Sequence, residues 1–170
     1  MFSVTKAVVL ACLSGALAFA QVSNFVAPLS GDQEVPVRDT KARGVGIFQL
    51  SADGTELRYT LIVANIRNVV AAHIHLAAAG VNGSVVAFLA GNFPPGGGPS
   101  NGVLASGTIT AANLVGPLVG HPLSDLVTPM GTGGAYVNVH TNDGVAPVNT
   151  GPGDFPAARF AVRSSAPHRP

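Results

Sequence analysis

Apolar and polar residues alternate with a period of two through most of this chain, the mark of strands with one buried face. Leu57, Tyr59, Leu61 and Val63 fall on one face of a strand over Glu56–Val63, with Glu56, Arg58, Thr60 and Ile62 on the other. Similar runs predict strands over Asn24–Leu29, Gly44–Leu50, Val69–Leu76, Val85–Leu89, Val103–Ile109 and Tyr136–His140, and a last one over Ala158–Val162. Turn signals separate them: Ser30-Gly31-Asp32, the hairpin triplet Ala52-Asp53-Gly54, and the cluster of Gly80, Asn82 and Gly83. Glu34–Val37 is extended, because Pro36 steers its predecessor away from helix. Gly91–Gly102 and Asn142–Pro156 are long loops rich in Gly and Pro. Between Thr110 and Met130, Leu114, Leu118, Leu123 and Leu126 suggest short helical turns, while Pro117, Pro122 and Pro129 break any long helix. Short strands, frequent turns and almost no helical period predict an all-β protein, an antiparallel sandwich or barrel with short helical turns.

The first twenty residues follow another rule. A short basic start, Met1–Lys6, leads into the apolar run Ala7–Leu17, and Ala18-Phe19-Ala20 has the small-x-small form of a cleavage site. These features predict a secretory signal peptide over residues 1–20, cut between Ala20 and Gln21. The apolar run falls short of the roughly 20 residues a membrane span needs, and no later stretch is long and apolar enough. The mature chain is then one domain over residues 21–163 with a flexible tail over 164–170, roughly 150 residues in all and enough for one core. The only cysteine, Cys12, leaves with the signal peptide, so the exported protein relies on its core alone. Asn82-Gly83-Ser84 is the one N-glycosylation triplet, in a turn-like segment.

Composition narrows the function classes. Charged residues are only 10% of the chain, and losing Lys6 leaves eight basic against eight acidic side chains. Without a basic stripe, nucleic acid and anionic membrane surfaces are not expected partners. Gly and Pro supply 34 of 170 residues, but 47% of the chain is apolar, so this is a turn-rich folded domain and not a disordered one.

Candidate chemistry lies on two strands. In Ala71-Ala72-His73-Ile74-His75-Leu76, His73 and His75 share a face while Ile74 points the other way. In Gly134–Thr141, Tyr136, Asn138 and His140 share a face. Neutral imidazole ligates copper or zinc, so His73, His75 and His140 are the candidate ligands, with nitrogens expected within about 5 Å of a common point. His121 is a candidate fourth donor. The structural alternative is a polar cluster in which these histidines and Asn138 hydrogen-bond one another and fix strand register. No other feature assigns catalysis. Asp32 and Glu34 sit in a turn that calls for loop hydrogen bonds, and Tyr59 and Tyr136 suit core or rim positions. The glycine clusters precede no helix that would cradle phosphate, and Ser30, Ser51 and Ser106 lack the setting of a nucleophile. His168 lies in the tail.

Three motifs in order carry a family resemblance. Leu29-Ser30-Gly31-Asp32-Gln33-Glu34-Val35-Pro36 resembles the L-x-G-x-x-E-V-P opening of the chordin (CHRD) domain family, Ala72-His73-Ile74-His75 its A-H-I-H strand, and Tyr136-Val137-Asn138-Val139-His140-Thr141 its Y-V-N-V-H-T strand. The resemblance covers about Phe25 to Phe155 and implies a secreted or surface-exposed, immunoglobulin-like Greek-key β-sandwich. It also implies an extracellular binding module of undefined activity, meeting a protein or glycan through its loops, without the growth-factor role of chordin itself. The chain departs from the family at its end: the usual G-E-I-R-G-Q strand is replaced by Ala157–Arg163, which lacks the Glu, and Asp154 is the nearest acid. The H-x-H strand also resembles the copper ligands of copper-zinc superoxide dismutase, which implies dismutase-like redox chemistry as the alternative function. The bridging histidine, zinc-binding aspartate and disulfide of that enzyme have no clear equivalent here.

Overall fold

The computed structural model describes residues 23–155. The expected signal peptide with its Ala20–Gln21 junction, the strand expected over Ala158–Val162 and the tail from Ser164 lie outside the described residues.

Among the described residues, seven strands form two antiparallel sheets. The larger sheet contains β1 (Asn24–Ser30), β2 (Arg43–Leu50), β3 (Leu57–Arg67) and β6 (Pro99–Ile109) in the order β1-β2-β3-β6. The smaller contains β4 (Val69–Leu76), β5 (Ser84–Ala90) and β7 (Ala135–Thr141) in the order β5-β4-β7. The chain is all-β as expected, and the two sheets do not close into a barrel. Period-two patterning drives this arrangement. Phe25, Ala27 and Leu29 of β1, Leu57, Leu61 and Val63 of β3, and Ala72, Ile74, Val137 and Val139 of the smaller sheet meet in one core. Tyr59 packs at its edge and donates its hydroxyl to the Leu89 carbonyl across the sheets at 2.7 Å.

The β2–β3 hairpin turns where Ala52-Asp53-Gly54 predicts. One oxygen of Asp53 accepts from the Ser51 hydroxyl at 2.6 Å and from the Thr55 hydroxyl at 2.9 Å. These hydrogen bonds, that of Ser51 first, hold its carboxyl down at about 2.

Three element boundaries differ from the sequence expectation. β3 runs on to Arg67 beyond Val63, because Asn65 takes a left-handed conformation (φ 55°) and the register shifts between Val63 and Ile66. The irregularity breaks the alternation without ending the strand, and Ile66 returns to the core. β6 begins at Pro99, shortening the Gly91–Gly102 loop by four residues; it is an edge strand, where a proline without an N–H donor is tolerated. Ser124–Thr132 forms a nine-residue helix, α1, that passes through Pro129. Pro129 lies in the last turn, while Leu126 and Met130, one turn apart, anchor the helix in the core.

Leu61 is wholly buried at the centre of β3. Leu61→Ala is expected to cost about 2–5 kcal/mol of unfolding free energy in a denaturant titration, through lost contacts and a residual cavity. A loss below 1 kcal/mol would mean that the core is not packed as described.

Candidate functional site

β4 is the central strand of the smaller sheet, so its outward side chains have neighbours on both sides. Ile74 and Ala72 enter the core, which sends His73 and His75 to the outer face. β7 follows the same rule: Val137 and Val139 face the other sheet, and Tyr136, Asn138 and His140 the opposite side, where Tyr136 and Asn138 are buried as well. The register places His73 beside Phe88 of β5 and Asn138 of β7, His75 beside Val85 and Tyr136, and His140 beside Ala71. His140 is thus the diagonal neighbour of His73, and the small Ala71 leaves its ring room to lean across.

The three imidazoles converge. One ring nitrogen from each of His73, His75 and His140 lies within 4.8 Å of the others. Nδ1 of His73 is 3.1 Å from Nε2 of His140, so in the metal-free protein one of these nitrogens donates to the other. The His73 ring also meets Phe88 edge-on, with centroids 5.0 Å apart. His75 is the buried member, while His73 and His140 are half-buried.

The buried ring is held from two sides. Nδ1 of His75 lies 3.0 Å from the Gly83 carbonyl, which can only accept, so that nitrogen carries the proton and Nε2 keeps its lone pair. Tyr136 stacks on the same ring at 4.9 Å and 10°. Its hydroxyl accepts the Gly83 N–H at 3.0 Å. Gly83 therefore holds both ring and stacking partner, and it must be glycine: a Cβ there would run into the Leu76 carbonyl. Support of this kind is what would orient the ring of a metal-ligating histidine.

Electrostatics favours the neutral form of His73. Burial first, then the neighbouring rings of His140 and His75, push the His73 pKa from its ordinary 6.5 down to about 4. Three imidazoles at this spacing are poor at sharing protons and well suited to sharing a cation.

The remaining sequence candidates lie elsewhere. His121 pairs with Asp125 at 2.8 Å on the exposed side of α1 and is not in the cluster, so the fourth-donor expectation fails. Asp32 is exposed and held low mainly by the Ser30 hydroxyl, whereas Glu34 is buried. Asp154 is a loop staple, one oxygen accepting from the Thr150 N–H and hydroxyl, both at 3.0 Å. Sequence reasoning missed the part played by Gly83, which it treated only as a turn residue, and the contact of Phe88 with His73. The signal for Gly83 was its position just before β5, at the mouth of the turn that follows the H-x-H strand.

A two-sheet antiparallel fold with an imidazole cluster on the outer face of the smaller sheet sets the structural class. The family is shown by sequence: the CHRD domain model matches residues 25–146, and the chain belongs to the CHRD domain family. No curated protein and no solved structure matches it.

Two outcomes follow from this geometry. Tyr136→Phe leaves the part-buried Gly83 N–H without its acceptor and is expected to lower stability by about 1–3 kcal/mol in chemical denaturation. Because the folded pKa of His73 is depressed, its contribution to stability is present above about pH 6.5 and is lost as pH falls through about 4. The Tm of the metal-free protein should fall across that window, with a shallower fall in His73→Gln. Equal slopes for the two proteins would show that His73 is not the group being protonated.

Proposed function

We propose that this CHRD-domain protein is exported and binds one transition-metal ion, copper or zinc, through His73, His75 and His140. The observation that carries the reading is the convergence of three ring nitrogens within 4.8 Å. Metal–nitrogen bonds of about 2 Å bring ligand nitrogens to about 3–4 Å of one another, so small ring movements suffice. An all-imidazole set without a carboxylate favours copper or zinc over calcium or magnesium. Three protein ligands leave a position open, on the side of the half-buried His73 and His140. An open copper position is also what dismutase-like redox activity requires, and that activity belongs to the same reading. Export is supported by the signal-peptide pattern of residues 1–20.

A second reading, an immunoglobulin-like extracellular module that binds a protein or glycan through its loops, has its own support. Asn68, left-handed at φ 55°, ties the two long loops together. Its N–H donates to the Gly98 carbonyl at 2.7 Å, its side-chain amide to the Gly153 carbonyl at 3.0 Å, and its carbonyl accepts from Asn142 at 2.9 Å. The platform exposes Phe93, Val145 and Val148.

Metal analysis of the purified full chain separates the two. Wild-type protein exposed to copper or zinc should retain close to one equivalent after dialysis, and His75→Ala and His140→Ala close to none, with folding checked by circular dichroism. Equal metal content in all three would remove the metal reading and leave the loop platform.

A further inference from the structure

We propose that Asn82 carries an N-linked glycan standing at the rim of the imidazole cluster, where it restricts access to the ion; the access role rests on the metal reading above. The β4–β5 connection folds as a tight turn in which the Val81 N–H donates to the Ala78 carbonyl at 3.1 Å and Gly80 takes φ 78°. Asn82 follows it directly and is exposed, as is Ser84, whose hydroxyl completes the acceptor triplet. The side chain of Asn82 makes no hydrogen bond among the described residues. Several other asparagines do: Asn68, Asn113, Asn142 and Asn149 in turns and loops, and Asn101 in β6, use their side-chain oxygens to hold backbone or side-chain donors. The Asn82 amide is thus left for chemistry.

In the transfer step, Nδ2 of Asn82 forms a bond to C1 of the first sugar. The bond from C1 to a pyrophosphate oxygen of a lipid-linked oligosaccharide donor breaks, the lipid pyrophosphate leaves, and the amide nitrogen gives up one proton. The glycan does not compete with the clamp on His75, because the clamp uses only the backbone N–H and carbonyl of Gly83. It sits one residue from that clamp, beside the only sheet face that presents His73 and His140.

The full chain is expressed in a eukaryotic secretory host. The secreted protein should show one mobility step that an endoglycosidase removes, absent in both Asn82→Gln and Ser84→Ala. A chelator should strip copper several-fold faster from the enzymatically deglycosylated protein than from the glycosylated one. Secreted protein without the step, a step that survives Asn82→Gln, or a chain retained inside the cell would overturn the modification. A glycan with unchanged stripping rates would overturn the access role. A glycosylated protein that binds neither copper nor zinc would sink the metal reading and the access role, leaving the modification standing.

Discussion

The register between β4 and β7 is the constraint on which the rest depends. Strand side chains alternate strictly, so one pairing decides both which residues build the core and which decorate the outer sheet face. With Ile74 opposite Val137 and His73 opposite Asn138, the apolar set of both strands enters the core between the sheets and the polar set gathers on the opposite face, where His75 and Asn138 are buried too. A slip of one residue would send imidazoles into the core and isoleucine to the face that now carries them. The hydrophobic gain therefore enforces the placement of the histidines, and the site needs no separate folding energy.

Around that register the molecule divides its labour. The larger sheet is mostly scaffold, with its hairpin fastened by Asp53 and its edge strand opened by Pro99. The smaller sheet carries the chemistry. The loops at one end are joined through Asn68, whose left-handed backbone and short amide let one residue reach three segments.

How much of this was legible in the sequence depends on whether the signal was periodic or geometric. The strands of His73, His75 and His140 were readable because alternation and β-branched residues mark them, and so was the shared face of each pair. The extension of β3 was not, because Ala64 and Asn65 interrupt the alternation at a bulge that only the register reveals. The α1 helix was undercounted because Pro129 reads as a breaker, although in a last turn it removes a single hydrogen bond. His121 resembles a fourth donor because proximity across the fold is invisible in a linear string; Asp125, four residues on in the first turn of α1, claims it instead. The support from Gly83 was hidden for the same reason, since it joins groups 8 and 53 residues apart.

The double use of Gly83 has a bearing on how this domain can vary in length. The segment between the H-x-H strand and β5 spans only Ala77–Gly83, and its last residue fixes the tautomer of His75. An insertion there would shift that residue and loosen the hold on the His75 ring while both sheets stayed intact. The Gly91–Gly98 connection is tied instead to Val70, Asn68 and Asn142. A change of length after β4 should therefore act on the imidazoles, and one after β5 on the loop platform.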